Sequence, residues 1–438
     1  MIISRIQLLP FLMLLFLFAS GCSMAVKSEQ IPSNIQAPQW GQLQPGEYAV
    51  GYRDTVLFKS DENFSYFTFN GPKPFYVSIW YPAEEKQNKP FMKMEDYLNY
   101  PKNERYTQLY DSLTAAFHSV NLQYGVRINL ANGDDRFAED SVQLLYRDIL
   151  QTQTAAQRNI TPLNKSFPCI LYHHGAQSIP FDNNVFCEYM ASRGFIVVSS
   201  SYNLPSQWTG GLTVSTDEQF NDVTDIDFIL AFAGNMSGVD KSRIVATGHS
   251  WGAQALLRHD NERSGKLLKC IVSLHTTLED VPIEYAREGW PEFSYLFDNQ
   301  CTQSTTPSFL LAPYTKFTVE EQDTLPGGET RTGKKTVSRK PGFIPFRNNM
   351  TTPYRFVTVN YPVKHDGFIT CGNLRFPFCE KYNLKDKEEI KLQQKWYEYI
   401  VELTYKVLSS STSNKEIPSS AMDDDRFSWE LFNVADSK

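Results

Sequence analysis

Short apolar runs recur along most of the chain, and the segments between several of them carry apolar residues at helical spacing. The runs are rich in β-branched and aromatic residues, which is typical of buried strands. They lie at 74–82, 167–176, 195–200, 242–247, 269–275, 307–312 and 354–360. Strands that alternate with helices at these lengths are typical of a mostly parallel sheet with helices on both faces. The pattern therefore predicts an α/β fold.

Helical periodicity predicts what connects these strands. Helices are expected at 184–192 and 217–232, directly after the run at 242–247, and at 385–408, where the last helix is amphipathic. A polar loop is expected at 203–216, and the charged, glycine-rich residues 318–342 predict an exposed excursion.

Residues 88–160 differ from their surroundings. They are charged and tyrosine-rich, and apolar residues recur at helical spacing at 111–117 and 140–150. We therefore expect a helical insertion or lid that packs on the sheet.

The two ends of the chain have their own patterns. Arg5 and the apolar run 6–18 precede Ala19-Ser20-Gly21-Cys22, which resembles a bacterial lipoprotein signal peptide over 1–21 with Cys22 as the lipidated residue. Ordinary cleavage after small residues is the alternative, and the run is too short for a comfortable membrane span. A polar, proline-containing tether is expected over 22–45, the domain over 46–408, and a tail over 409–438 whose aromatic residues dock or stay free.

This reading implies a location and a kind of partner. Acyl chains on Cys22 would hold the protein on a membrane of the bacterial cell envelope, on the periplasmic or the outer-membrane surface. The net charge of −7 and the pI near 5.6, with no basic stripe, argue against a nucleic-acid partner. Small molecules, including lipids, and neutral polymers remain open as substrates.

Cysteine and histidine spacing gives no metal motif. No C-x-x-C pair and no H-E-x-x-H helix occurs, so neither a structural metal nor a cofactor is predicted. Cys371 and Cys379 are spaced to close a small disulfide loop in an exported protein. Cys169 and Cys270 lie within strand-like runs and are expected as free, buried thiols.

The sharpest chemical signal is the G-x-S-x-G sequence from Gly248 to Gly252. It follows a predicted strand and precedes a predicted helix, so the flanking glycines allow a sharp turn that exposes the hydroxyl of Ser250. The competing interpretation is a surface turn in which Ser250 caps the helix.

A serine nucleophile needs a base, and imidazole is the usual one. His365 follows the last predicted strand, which places it after the serine in the chain order expected for this arrangement. His173, His174 and His249 also lie near the predicted serine turn, but histidines at strand ends and elbows more often pack or orient than accept protons.

Together these motifs resemble the α/β-hydrolase superfamily, and more narrowly its branch of platelet-activating-factor acetylhydrolases and dienelactone hydrolases. The resemblance covers 46–408 and rests on 77–82, His174-Gly175, 193–195, the 248–252 elbow and the His365 loop. It implies that Ser250 attacks an ester carbonyl, with the amides of Ala176 and Trp251 holding the oxyanion.

The chain departs from this family at the third catalytic residue. The resemblance places an acid at the end of the strand after the serine helix, where this chain has His275. Asp280 is the preferred substitute and Glu279 the second, although each is equally interpretable as a solvated loop residue. A serine–histidine pair without an acid would be slow, because the acid fixes the imidazole tautomer.

The sequence therefore predicts a lipid-anchored serine esterase with Ser250 as nucleophile and His365 as base. Two alternatives stay open: an impaired hydrolase fold that serves as a surface binding protein, and a serine peptidase using the same residues.

Overall fold

The computed structural model describes residues 37–66, 69–84, 88–100, 106–122, 126, 139–202, 204, 222–263, 267–278, 296, 306–324, 330–337 and 354–432. No helix in these ranges is long and apolar enough to cross a membrane.

Within the described ranges, ten strands form one sheet and two further strands form a separate hairpin. In chain order the strands are β1 Ala49–Tyr66, β2 Phe69–Ala83, β3 Ala156–Arg158, β4 Phe167–His173, β5 Ile196–Ser200, β6 Val239–His249, β7 Ile271–Leu274, β8 Ser308–Pro313, β9 Phe317–Thr324, β10 Thr330–Val337, β11 Tyr354–Val359 and β12 Phe427–Phe432. The large sheet has the order β12-β11-β8-β7-β6-β4-β5-β2-β1-β3. Strands β4, β5, β6, β7, β8 and β11 are parallel, and β2 and β12 join this block antiparallel.

Helices pack on both faces of this sheet. They are α1 Met94–Tyr97, α2 Thr107–Leu122, α3 Glu139–Leu150, α4 Asn184–Ser192, α5 Asp222–Asn235, α6 Trp251–Glu262, α7 Thr370–Asn373, α8 Lys387–Thr412 and α9 Ser419–Met422. The structure confirms the predicted α/β class and the predicted helices at 184–192 and 385–408. Within the predicted helix at 217–232, the described part begins at Asp222.

The central strands are continuous apolar runs because both of their faces are covered. All seven residues of β4 are buried. Ile170 and Tyr172 face one core, shared with α4 and α8, whereas Cys169 and Leu171 face a second core, shared with α5 and α6. Successive strand residues point to opposite faces, so a strand between two helical layers is apolar at every position.

The insertion at 88–160 has the predicted helices and adds an edge strand. Helices α1 to α3 pack on the α4 and α8 face, and β3 then pairs parallel to β1. Aromatic edge contacts connect the insertion to the sheet, with Tyr76 on β2 against Tyr110 and Phe117 on α2. Phe117 also meets Phe181, which lies in the loop after β4, so the insertion contacts a loop at the carboxyl edge of the sheet.

The last residues assigned to the tether belong to the folded domain. Trp40 is buried, and its indole N–H donates to the carboxylate of Glu188 on α4 at 2.8 Å. Ala37 and Leu43 join the same core. The composition of 22–45 predicts a tether because it is polar on average, yet one tryptophan with a buried acceptor is enough to anchor residues 37–45.

Two later segments also differ from expectation. The predicted excursion at 318–342 contains the antiparallel hairpin of β9 and β10, which pair from Phe317↔Val337 to Thr324↔Thr330. The tail beyond residue 408 continues α8 to Thr412 and then supplies β12, which pairs along the whole of β11. β-branched residues at alternating positions and the aromatic residues of 427–432 favour strands in both places.

The described cysteines are all unbridged. Cys169 and Cys270 are buried free thiols, as predicted. Cys371 and Cys379 are free as well, so the possible disulfide between them is not formed.

Candidate active site

Ser250 occupies a strained turn between β6 and α6. Its backbone has φ 54° and ψ −123°, a region that residues other than glycine rarely adopt. The Ser250 N–H donates to the carbonyl of Leu274 at 3.2 Å, which fixes the turn to the end of β7. The side chain makes no capping hydrogen bond to α6. The turn therefore has the geometry of a nucleophile elbow and lacks the bond that the helix-capping interpretation requires.

The glycines on either side of Ser250 are required by close backbone approach. A Cβ added to Gly252 would lie 2.3 Å from the carbonyl oxygen of His173, and one added to Gly248 would lie 2.6 Å from the nitrogen of Ala253. Both obstructing atoms belong to the main chain and cannot rotate away. Helix α6 therefore starts directly against the end of β4 only because neither position has a side chain.

The loop after β4 brings a second backbone segment to Ser250. A Cβ added to Gly175 would lie 3.2 Å from the Cβ of Ser250. Ala176 is the next residue of this loop, and Trp251 is the first residue of α6. The sequence assigns the oxyanion to the amides of Ala176 and Trp251. These residues directly follow Gly175 and Ser250, which approach each other closely here. The helix N-terminus there favours developing negative charge.

His365 lies beside the elbow, although it is distant in the chain. It begins the 3₁₀ turn His365–Phe368, after β11. Its ring centroid is 4.5 Å from that of His249, the residue before Ser250. The Nε2–H of His249 donates to the carbonyl oxygen of His365 at 3.1 Å, which holds the His365 turn against the end of β6.

A second histidine meets His365 where the sequence anticipates a carboxylate. The Nδ1 atoms of His365 and His275 are 2.9 Å apart. His275 directly follows β7, is 3% exposed, and has a positive φ of 52°. Asp280 and Glu279, the two acids proposed from sequence, lie outside the described residues.

Burial favours the neutral form of His173, His174, His249 and His365. It lowers the pKa of His249 and of His174 to about 3 and that of His173 to about 4. Burial also lowers the pKa of His365 well below its ordinary value, and the neighbouring imidazoles of His249 and His275 lower it further. His365 is therefore an unprotonated base at neutral pH.

His173 and His174 serve the loop after β4. The Nδ1–H of His173 donates to the carbonyl of His174 at 2.8 Å, and the Nδ1–H of His174 donates to that of Gly175 at 2.7 Å. The Nε2 of His174 accepts the Tyr202 N–H at 3.1 Å, and the His173 ring stacks on the Tyr202 ring at 3.8 Å. These bonds fix the loop that carries Gly175 and Ala176.

Two polar residues before α4 connect that loop to the His365 loop. The Oδ1 of Asn183 accepts the Thr370 N–H at 3.1 Å and the Tyr397 hydroxyl at 2.7 Å, and the Asp182 carbonyl accepts the Cys371 N–H at 2.9 Å. Burial raises the pKa of Asp182 to about 7, although Tyr172 and Ser178 donate to its carboxylate.

Among the described residues, one group of side chains is spaced closely enough to hold a metal ion. Donor atoms of His249, His365 and Asp366 lie within 4.8 Å of one another. Imidazole nitrogen with one carboxylate oxygen suits zinc and similar divalent ions. His249 directly precedes Ser250 in the chain, so an ion held there would lie next to the Ser250 turn.

Sequence reasoning missed Asp182 and Asn183 as site residues. The only signal was an Asp-Asn-Asn run ahead of a predicted helix, a pattern that also fits simple capping. The sequence identifies His275 only as the residue that occupies the expected position of the acid. Its contact with His365 could not be foreseen, because the two residues are 90 positions apart in the chain.

Comparison with known proteins supports the fold. No protein-family model matches the chain, and no curated protein matches its sequence. A ferulic acid esterase from Streptomyces cinnamoneus is similar in structure, with a TM-score of 0.50 and 14% identity over 87% of this chain and 96% of that one. A puromycin hydrolase gives a TM-score of 0.40 at 10% identity, over 84% of this chain and 40% of the other. With its sheet order, its helical layers and the esterase neighbour, this chain has the α/β-hydrolase fold.

Proposed function

We propose that this protein is a serine esterase that hydrolyses carboxylic esters through an acyl-enzyme at Ser250. The observation that carries the proposal is the strained Ser250 turn, with the Gly175 loop on one side and His365 beside the preceding residue. A strained backbone kept at a serine, next to an unprotonated histidine, is expected where the hydroxyl reacts.

The reaction follows from these residues. His365 takes the hydroxyl proton as the oxygen of Ser250 bonds to the ester carbonyl carbon, and the carbonyl electrons move onto oxygen beside the Ala176 and Trp251 amides. The carbonyl re-forms, the alkoxide leaves, and His365 returns the proton to it. Water then loses a proton to His365 and attacks the acyl-enzyme, and Ser250 leaves with that proton. The products are an acid and an alcohol.

A fluorophosphonate probe tests the nucleophile directly. We expect stoichiometric labelling of the folded protein at Ser250, none in Ser250→Ala, and saturable turnover of p-nitrophenyl acetate that the same substitution abolishes. A folded sample that neither labels nor turns over would favour the surface binding protein instead.

The ester class is the finer part of the proposal. We infer a small-molecule or lipid ester, as the resemblance to the platelet-activating-factor acetylhydrolase branch implies. A panel with acyl chains from two to ten carbons, a short-chain phospholipid and methyl ferulate would rank the candidates by kcat/KM. Matched anilides test the peptidase alternative, which faster cleavage of anilides than of esters would establish.

We further propose that the mature protein is lipid-anchored through Cys22 on the bacterial cell envelope. The proposal rests on the Arg5, apolar and Ala-Ser-Gly-Cys sequence alone. In a bacterial host, the full chain should incorporate an alkyne-tagged fatty acid and fractionate with membranes, and Cys22→Ala should do neither. If the full chain, like Cys22→Ala, carried no fatty acid and did not fractionate with membranes, anchoring would be refuted. That result would not bear on the esterase proposal.

A further inference from the structure

The histidine pair beside Ser250 concerns the third catalytic residue, and its interpretation rests on the proposed function. His275 follows β7, and its backbone N–H donates to the carbonyl of Leu311 on β8 at 2.8 Å. Its ring also packs against Phe368, with centroids 5.4 Å apart. The backbone of His275 is therefore tied to β8 and its ring rests on Phe368, and the end of β7 is where the resembled family has its acid.

The contact itself constrains the protons. A neutral imidazole carries one N–H and one lone pair, so two Nδ1 atoms 2.9 Å apart form a hydrogen bond when only one of them is protonated. If His365 is the donor, its Nε2 is left with the lone pair that a general base needs. If His275 is the donor, the proton of His365 lies on Nε2 and the ring cannot accept from Ser250.

We propose that His275 is the positioning residue of the catalytic machinery, accepting the Nδ1–H of His365 and so fixing the tautomer that deprotonates Ser250. This is the part of the acid's role that needs only a lone pair. The other part, stabilising the imidazolium with a full negative charge, is not available from a neutral imidazole.

The surrounding charges agree with this division. His249 from β6 and His275 from β7 face His365, and both disfavour its protonated form. Asp366 is the acidic neighbour in the same turn. It is mostly buried, which raises its pKa, and its electrostatic interaction with His275 opposes that rise.

Substitutions at His275 separate tautomer control from simple packing. Loss of the acceptor in His275→Ala should slow fluorophosphonate labelling of Ser250 and kcat by about a hundredfold, the low end of general-base effects, with KM little changed. His275→Asn, whose amide oxygen can accept the same N–H, should recover at least part of the rate. His275→Asp should recover it and move the acid limb of the pH profile upward by about one unit or more, because a carboxylate favours the imidazolium.

His118→Ala is the matched control. His118 is a half-buried histidine on α2 that contacts the Tyr146 hydroxyl, and its loss should leave rate and pH profile unchanged. Thermal unfolding of each variant would separate lost rate from lost fold. A purely structural role predicts no rescue by asparagine and no pH shift with aspartate.

Two results would overturn the proposal. One is wild-type labelling by folded His275→Ala. The other is loss of labelling in Glu279→Gln or Asp280→Asn while the His275 variants stay active, which would return the role to a carboxylate. Nitrogen NMR of the wild type requires neither activity nor a variant at position 275. It should show the His365 proton on Nδ1, and loss of this signal in His365→Asn would assign it. A proton on Nε2 would refute the inference even if Ser250 failed to label.

Discussion

Backbone strain at Ser250 leads to a stability prediction that is independent of any substrate. At φ 54° and ψ −123° a side chain costs about 1–3 kcal/mol, which the rest of the fold must offset. Glycine adopts this conformation without that cost. However, glycine gives the unfolded chain more conformational entropy than alanine does, which lowers the free energy of unfolding by about 0.4–1 kcal/mol. Ser250→Gly should therefore exceed Ser250→Ala in free energy of unfolding by about 1 kcal/mol. Both variants lack the hydroxyl and should be inactive.

Urea denaturation of the two variants measures this difference, which corresponds to roughly a fivefold change in the folding equilibrium constant. Ser112 in the interior of α2 provides the control, because glycine there is expected to be about 1 kcal/mol less stable than alanine. The prediction is thus a reversal of sign between two serines in one protein. If Ser250→Gly is no more stable than Ser250→Ala, no strain is stored at the elbow.

Three further predictions concern the base, the core and metals. The acid limb of kcat/KM for p-nitrophenyl acetate should fall below pH 6.5, because burial lowers the pKa of His365, and a limb at or above 6.5 would contradict that lowered pKa. Glu188→Gln should lower the free energy of unfolding by about 1–3 kcal/mol relative to the exposed control Glu416→Gln, because an amide N–H₂ would then face donors such as Trp40 or Tyr97. Treatment with EDTA should leave turnover unchanged, since proton transfer from Ser250 needs no ion. Loss of activity that zinc restores would instead assign a metal to His249, His365 and Asp366.

The features that the sequence predicts well are those encoded by neighbouring residues. The run at 167–173 is apolar throughout because β4 lies between two helical layers, so burial on both faces is legible in seven consecutive residues. The elbow is equally local, because Gly248 and Gly252 border Ser250 in the chain. In both cases the residues that determine the local structure are the same few neighbouring residues that form the sequence pattern.

Features that depend on distant partners were less accessible. Trp40 is anchored by Glu188, 148 positions away, so the polar composition around it predicted a tether. His275 and His365 meet only because β7 and β11 end at the same edge of a parallel sheet. The sequence places each histidine at a strand end, but the 2.9 Å contact depends on the turns that follow. Those turns are fixed by bonds such as Thr370 to Asn183, which have no periodic signature.

The pairing of β12 with β11 affects how the domain is completed during synthesis. The large sheet gains this outer edge only after residues 427–432 have emerged, when most of the fold can already form. Until then β11 presents unpaired N–H and C=O groups, which readily pair with another chain. Products that stop before Phe427, whether from a nonsense mutation or from proteolysis, would retain Ser250 and His365 yet expose the unpaired edge of β11. Intact C-terminal residues thus protect against aggregation.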